Sequence, residues 1–266
     1  MILLSIISII IFIAIYYYLF LTNTETYSNN NNIYFMSKQE INYFLEQDKD
    51  KYVDNLSNID LYARKVKTKK EYINNILKTS YDLNDKDKVL LKKCCINADN
   101  YLSMSKLHEN YINYKELVNI KWVICCTYKN ESLQYEEGLP HTRENVIFLS
   151  KSVLNYSEEN LTNTLIHEKI HIYQRYNKEI FDKLIDSEGF KKIAYNNKFI
   201  RSNPDTNNDI YIDNKTNNVM VCLYRNNKPN GINDVIMKNF SLEHPYEKYA
   251  YEIANNYYTD SKYKNI

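Results

Sequence analysis

From Ser157 to Asn177 the chain reads S-E-E-N-L-T-N-T-L-I-H-E-K-I-H-I-Y-Q-R-Y-N, and the fold turns on how this stretch is read. Ser157 suits an N-cap, because its hydroxyl can accept a hydrogen bond from a first-turn amide, and Glu158 and Glu159 follow where the helix dipole favours negative charge. No Gly or Pro interrupts the run, so the spacing predicts one continuous helix. On a wheel of about 100° per residue, Leu161, Leu165, Ile166, Ile170, Ile172 and Tyr173 cover roughly half the circumference. Such a helix is mostly buried. His167 and His171 fall on the flank of the apolar arc with Thr164 and Gln174, where a buried helix borders a cleft. Lys169 projects from within the arc and must pair or snorkel.

His167, Glu168 and His171 form an H-E-x-x-H motif. Residues four apart share one helix face, so both imidazoles can hold one zinc ion while Glu168 holds a water beside it. With five histidines in 266 residues, a chance match is expected on the order of one time in a hundred. The bland alternative is a polar seam, or zinc held without catalysis. A structural zinc is closed by four protein ligands, often cysteines, and neither Cys nor another His lies close to this pair in sequence.

A third ligand is required, and the segment Glu243-His244-Pro245-Tyr246-Glu247 opens a second helix that offers one. Pro245 fits the first helical position, and Tyr246, Tyr249, Ala250, Ile253 and Tyr257 then form one apolar stripe. Glu247 borders that stripe, whereas Glu252 falls roughly 150° from its centre, which favours Glu247. Glu252, Glu243 and His244 remain alternatives. Small Ala250 and Ala254 would let the two helices approach closely.

These residues resemble the zincin superfamily of metallopeptidases, of the gluzincin type whose third ligand is a glutamate. The resemblance rests on the H-E-x-x-H motif and on Glu247-x-x-Ala250-Tyr251. It implies an α+β zincin-like catalytic domain: a small sheet whose edge strand aligns peptide substrate, an active-site helix beneath it, and a later helix carrying the glutamate. It implies zinc as cofactor, Glu168 as general base, a peptide or protein as substrate and an additional donor steadying the oxyanion. Candidates for that donor are His141, His244, Tyr251, Arg201 and Tyr211. The 75 residues between His171 and Glu247 make a longer spacing than in compact gluzincins. A zinc amidase acting on a non-peptide, or an inactive zincin serving as a membrane-tethered binding protein, are the rival readings.

The flanking sequence agrees with a sheet. Asn119 to Tyr128 and Asn145 to Ser150 are β-branched and aromatic runs separated by the turn-rich Glu137-Gly138-Leu139-Pro140, and they predict neighbouring strands. Ile210 to Ile212 and Val219 to Tyr224 predict a further strand pair. The stretch Arg201-Ser202-Asn203-Pro204-Asp205 before them reads as a plain loop or as a cleft wall.

Upstream, Met1 to Leu21 are almost wholly apolar, long enough for a transmembrane helix. The stretch lacks the basic n-region and small-residue cleavage site of a signal peptide. The expectation is therefore a single-pass N-terminal membrane anchor (1–21), with the side on which the rest lies undetermined. An Asn-rich tether (22–36), a helical N-terminal lobe (37–117) and the catalytic domain (118–266) would follow. Within the lobe, Ser37-x-x-Glu40 and Thr68-x-x-Glu71 read as capping boxes, and a helix is expected from about Asp85 to Met104.

Net charge is +1, with both signs interspersed. No basic face, P-loop, Rossmann or zinc-finger signature points to nucleic acid or nucleotide. Five cysteines, with Cys94-Cys95 and Cys125-Cys126 adjacent, make a poor disulfide framework and read as buried thiols. On a strand, Cys125 and Cys126 point to opposite faces.

Overall fold

A computed structural model of the chain describes residues 32–259, apart from 132, 207 and 238–241. At its centre is β3 (Trp122–Thr127), which pairs in parallel with β5 (Val146–Ser150) in the register Ile124↔Ile147. Strand β4 (His141–Arg143) adds antiparallel to β5 and forms one edge of the sheet. On the other side of β3 lie two short strands end to end. These are β1 (Ile33–Phe35), parallel, and β2 (Ser80–Tyr81), antiparallel.

The alternation of β3 sends its side chains into two separate cores. Trp122, Ile124 and Cys126 face α4 (Asp85–Met104), α5 (Tyr114–Asn119) and α6 (Glu158–Tyr176). Cys125 faces the opposite layer, made by α1 (Lys38–Gln47), α2 (Asn58–Ala63) and α3 (Lys69–Ile76). The caps that start these helices are in place: Ser37 with Glu40, Ser57 with Asp60, and the Thr68 hydroxyl accepting from the Glu71 amide. All five cysteines are free and buried, and burial pushes the Cys94 thiol up to about 11 and the Cys126 thiol up to about 12.

Between α6 and the last helix the chain builds α7 (Lys178–Ser187) and a three-stranded antiparallel sheet of β6 (Phe190–Ile193), β7 (Ile210–Asp213) and β8 (Asn218–Met220). The hairpin pair β9 (Cys222–Tyr224) and β10 (Val235–Met237) follows. This insertion accounts for the long spacing ahead of α8 (Pro245–Thr259).

Two expectations about the fold are corrected. The class is mixed α/β, not α+β with a preceding helical lobe, because the parallel β1-β3-β5 arrangement is covered by helices on both faces and residues 33–35 and 80–81 are strands of the same sheet. Strands of two or three residues have no alternation to read in a sequence. The single-pass membrane localisation also finds no support: among the described residues no helix is long and apolar enough to cross a membrane. Even the two longest helices, α4 and α6, carry charged residues along their length. The Met1 to Leu21 segment on which a transmembrane helix was expected lies outside the described residues.

Lys169 solves its sequence problem by pairing. Its ammonium lies 2.7 Å from Asp99 on α4 and 3.2 Å from the Val118 carbonyl, over the Trp122 ring. The Trp122 indole N–H donates to the other Asp99 oxygen at 2.9 Å. The side chain ties α6 to α4 and β3, and it is 1 % exposed. Removing one partner of such a pair leaves an uncompensated buried charge, which costs about 3–5 kcal/mol. Lys169→Met is therefore expected to lower the melting temperature by roughly 10 °C, measured by thermal denaturation, whereas Lys169→Met with Asp99→Leu should recover most of the loss. A single variant as stable as the parent would mean the pair is solvated.

Candidate metal centre

Helix α6 carries the six apolar residues of the predicted arc buried, and its His flank faces α8. Two hydrogen bonds fix the two helices against each other. One turn before His167, the Asn163 amide donates to the Ala254 carbonyl at 2.6 Å. At the other end Gln174 donates to the Tyr246 carbonyl at 2.9 Å. Ala250 and Ala254 are fully buried between them and permit the close approach.

This docking brings three donor atoms into one triangle. His167 Nε2 and His171 Nε2 are 3.0 Å apart, and Glu247 Oε2 lies 3.4 Å from the first and 3.5 Å from the second. Among the described residues these three form the one group with metal-ligand spacing. Ligand atoms on a tetrahedral zinc with bonds of about 2.0–2.1 Å are roughly 3.3 Å apart. The triangle fits that ion, and two imidazoles with one carboxylate is a donor set that leaves a fourth position open. Glu252 is elsewhere, half-exposed and paired with His108 at 3.3 Å.

The surroundings orient the donors. His171 Nδ1–H donates to Gln174 Oε1 at 2.8 Å, which leaves the Nε2 lone pair facing the triangle. Burial alone would raise the Glu247 pKa, but the His171 and His167 rings outweigh it and hold the carboxyl well below its ordinary range. Glu168 behaves oppositely. Burial first, then the charges of Asp205 and Glu247, push it well above the usual carboxylate value, and its Oε2 has no hydrogen-bond partner. A divalent cation in the triangle would work against that rise.

The triangle opens on a cavity of about 390 Å³ bounded by His167, Glu168, Glu247, His141, Asp205 and Tyr251, among others. The residues expected to steady an oxyanion are distributed unevenly around it. The Tyr251 ring lies 4.4 Å from that of His167. His141 lines the wall, where burial pushes its pKa below the usual imidazole value, and its Nδ1 is bonded to the Leu139 carbonyl at 2.9 Å. Arg201 also lines it, with its guanidinium paired to Glu243. His244 and Tyr211 pack ring to ring, at 5.0 Å, and are not among the cavity residues.

The loop Arg201-Ser202-Asn203-Pro204-Asp205 is a cleft wall. Arg201 N–H bonds to the Cys222 carbonyl of β9 at 3.0 Å, and Ser202 donates through its amide and hydroxyl to Asp60 on α2. Asp205 accepts from the Thr142 amide at 2.5 Å and from its hydroxyl at 2.9 Å, while Arg175 donates to the Glu144 and Pro204 carbonyls. On edge strand β4 the Thr142 amide is thereby occupied by Asp205, and the Thr142 carbonyl lies 3.5 Å from the Arg175 guanidinium. Asn203, Asp205 and Gln174 were not singled out in the sequence as site residues. Gln174 alone carried a signal, three residues past His171 on the same flank.

Residues 103–208 match the model of the SprT-like family, whose members are related to zincin metallopeptidases. The matched stretch runs from the end of α4 through the H-E-x-x-H helix to the Asn203–Asp205 loop and stops before Glu247. No curated protein and no solved structure matches the chain significantly.

Proposed function

We propose that the chain is a zinc-dependent metallopeptidase in which His167, His171 and Glu247 hold the metal and Glu168 is the general base. The observation that carries this reading is the triangle of two imidazole nitrogens and one carboxylate oxygen, opening on a cavity beside the unpartnered Glu168 carboxyl. The SprT-like match over 103–208 supports the same chemistry. Zinc bound there would supply a water that ionises near neutral pH and a polarised scissile carbonyl.

The remaining steps belong to the chain. Glu168 takes the proton of the attacking water and passes it to the departing amine. Its carboxyl lies buried beside the His pair and lines the cavity, where it has no other partner among the described residues to hold it. Gln174 keeps His171 turned toward the metal position. Tyr251 is the best-placed donor for the oxyanion, because it lines the cavity against His167 and its hydroxyl, pushed up to about 12 by partial burial and nearby carboxylates, stays protonated throughout.

The test is hydrolysis of a mixed peptide library by the full chain. Activity should disappear with a zinc chelator and return with added zinc. Cleavage that persists in protein shown to be metal-free would sink the reading, and cleavage restricted to non-peptide amides would reassign the substrate.

A further inference from the structure

Asn203 stands out because its two side-chain atoms do different things. Its Oδ1 accepts from the Asp205 amide at 2.9 Å and closes the turn of the loop. Its Nδ2 reaches across to α8 and donates to Glu247 Oε1 at 2.9 Å and to Glu243 Oε1 at 2.6 Å. The Glu247 oxygen that Asn203 holds is the one that does not face the histidines, since Oε2 is the atom 3.4 and 3.5 Å from the imidazoles.

We infer that Asn203 is a positioning residue for the metal site: its amide holds one oxygen of Glu247 so that the other is presented alone to the ion. The inference rests on the metal reading above. A carboxylate at the start of a helix can rotate about its side-chain torsions and offer either oxygen, or both. A donor fixed on Oε1 removes that freedom before the metal arrives, and outer partners of this kind commonly change metal affinity by about 10- to 100-fold. The donor is itself immobilised. The backbone of residues 199–201 is bonded to β9, Ser202 is tied to Asp60 on α2, and Asp205 is tied to Thr142 on β4. Three separate elements thus converge on the placement of one amide. Arg201 completes the arrangement by pairing with Glu243, so the second carboxylate sharing Asn203 Nδ2 carries its own cation.

The two atoms of Asn203 allow the donor to be removed without the turn. Asn203→Asp keeps an oxygen for the Asp205 amide and deletes the N–H groups facing Glu247, and Asn203→Ala is the second variant. Ser202→Ala loosens the same loop but leaves the amide. Zinc dissociation constants measured by competition with a chromogenic chelator, alongside metal-free melting temperatures, separate these cases. The expected result is a dissociation constant raised about 10- to 100-fold in both Asn203 variants and within about threefold of the parent in Ser202→Ala. If the parent chain binds one zinc and both Asn203 variants bind it equally well, the inference is overturned alone. It is also overturned if Ser202→Ala weakens zinc as much as Asn203→Ala, because loop integrity would then be the cause. A parent chain that binds no zinc overturns the metal reading and this inference with it.

Discussion

Glu168→Gln is expected to abolish peptide hydrolysis while zinc stays bound. The substitution preserves the shape of a side chain buried beside the His pair and removes only its capacity to take a proton. General acid–base catalysis of this kind contributes about 10²- to 10⁴-fold, or roughly 3–5 kcal/mol of barrier, so kcat should fall by that factor with little change in KM. Unchanged turnover in a zinc-loaded variant would remove Glu168 from the mechanism. Stability should move the other way. Because burial and the charges of Asp205 and Glu247 raise the folded-state pKa, the carboxyl favours folding below its unfolded value and that favour is lost as pH rises. Metal-free Glu168→Gln should therefore melt higher than the parent near pH 8, and the gain should vanish toward about pH 4. A gain that grew on acidification would contradict the assignment of the shift to Glu168.

Glu247→Ala is expected to release zinc, and Glu252→Ala to leave it in place. The two glutamates lie on the same helix five residues apart, yet only Glu247 reaches the imidazole nitrogens, at 3.4 and 3.5 Å, while Glu252 pairs with His108 at the surface. Loss of a direct ligand should weaken zinc by more than the roughly 100-fold that an outer partner can account for. Equilibrium dialysis with metal analysis distinguishes the two variants. Zinc lost from Glu252→Ala and kept by Glu247→Ala would reassign the third ligand.

The local order of these helices was legible because periodicity and caps act over a few residues. The wheel of α6, its Ser157 cap, the stripe that favours Glu247 over Glu252, and the 85–104 helix could all be read without knowing any neighbour. The strands β3 and β5 were legible as β-branched runs for the same reason. What the sequence withheld depends on distant partners. Strand β1 exists because residues 33–35 find an open edge on β3, and nothing within three residues announces that. Lys169 showed that it needed a partner but not that Asp99, 70 residues earlier, would supply it. Asn203 is one asparagine in a chain rich in them. Its role follows from the β9 backbone, Asp60 and Thr142 meeting around the loop, which no local pattern encodes.

The hold of Asp205 on Thr142 bears on what the sheet will accept from outside. Strand addition needs a row of unclaimed main-chain donors and acceptors, and at β4 the Thr142 amide is taken by Asp205, while just past the strand the Glu144 carbonyl is taken by Arg175. Neither a second copy of this chain nor an extended peptide can pair with the Thr142 amide without displacing Asp205 from the loop that also holds Glu247. The same contact thus guards this position against edge-to-edge pairing, and a ligand that displaced Asp205 would also disturb the Asn203 amide that holds Glu247.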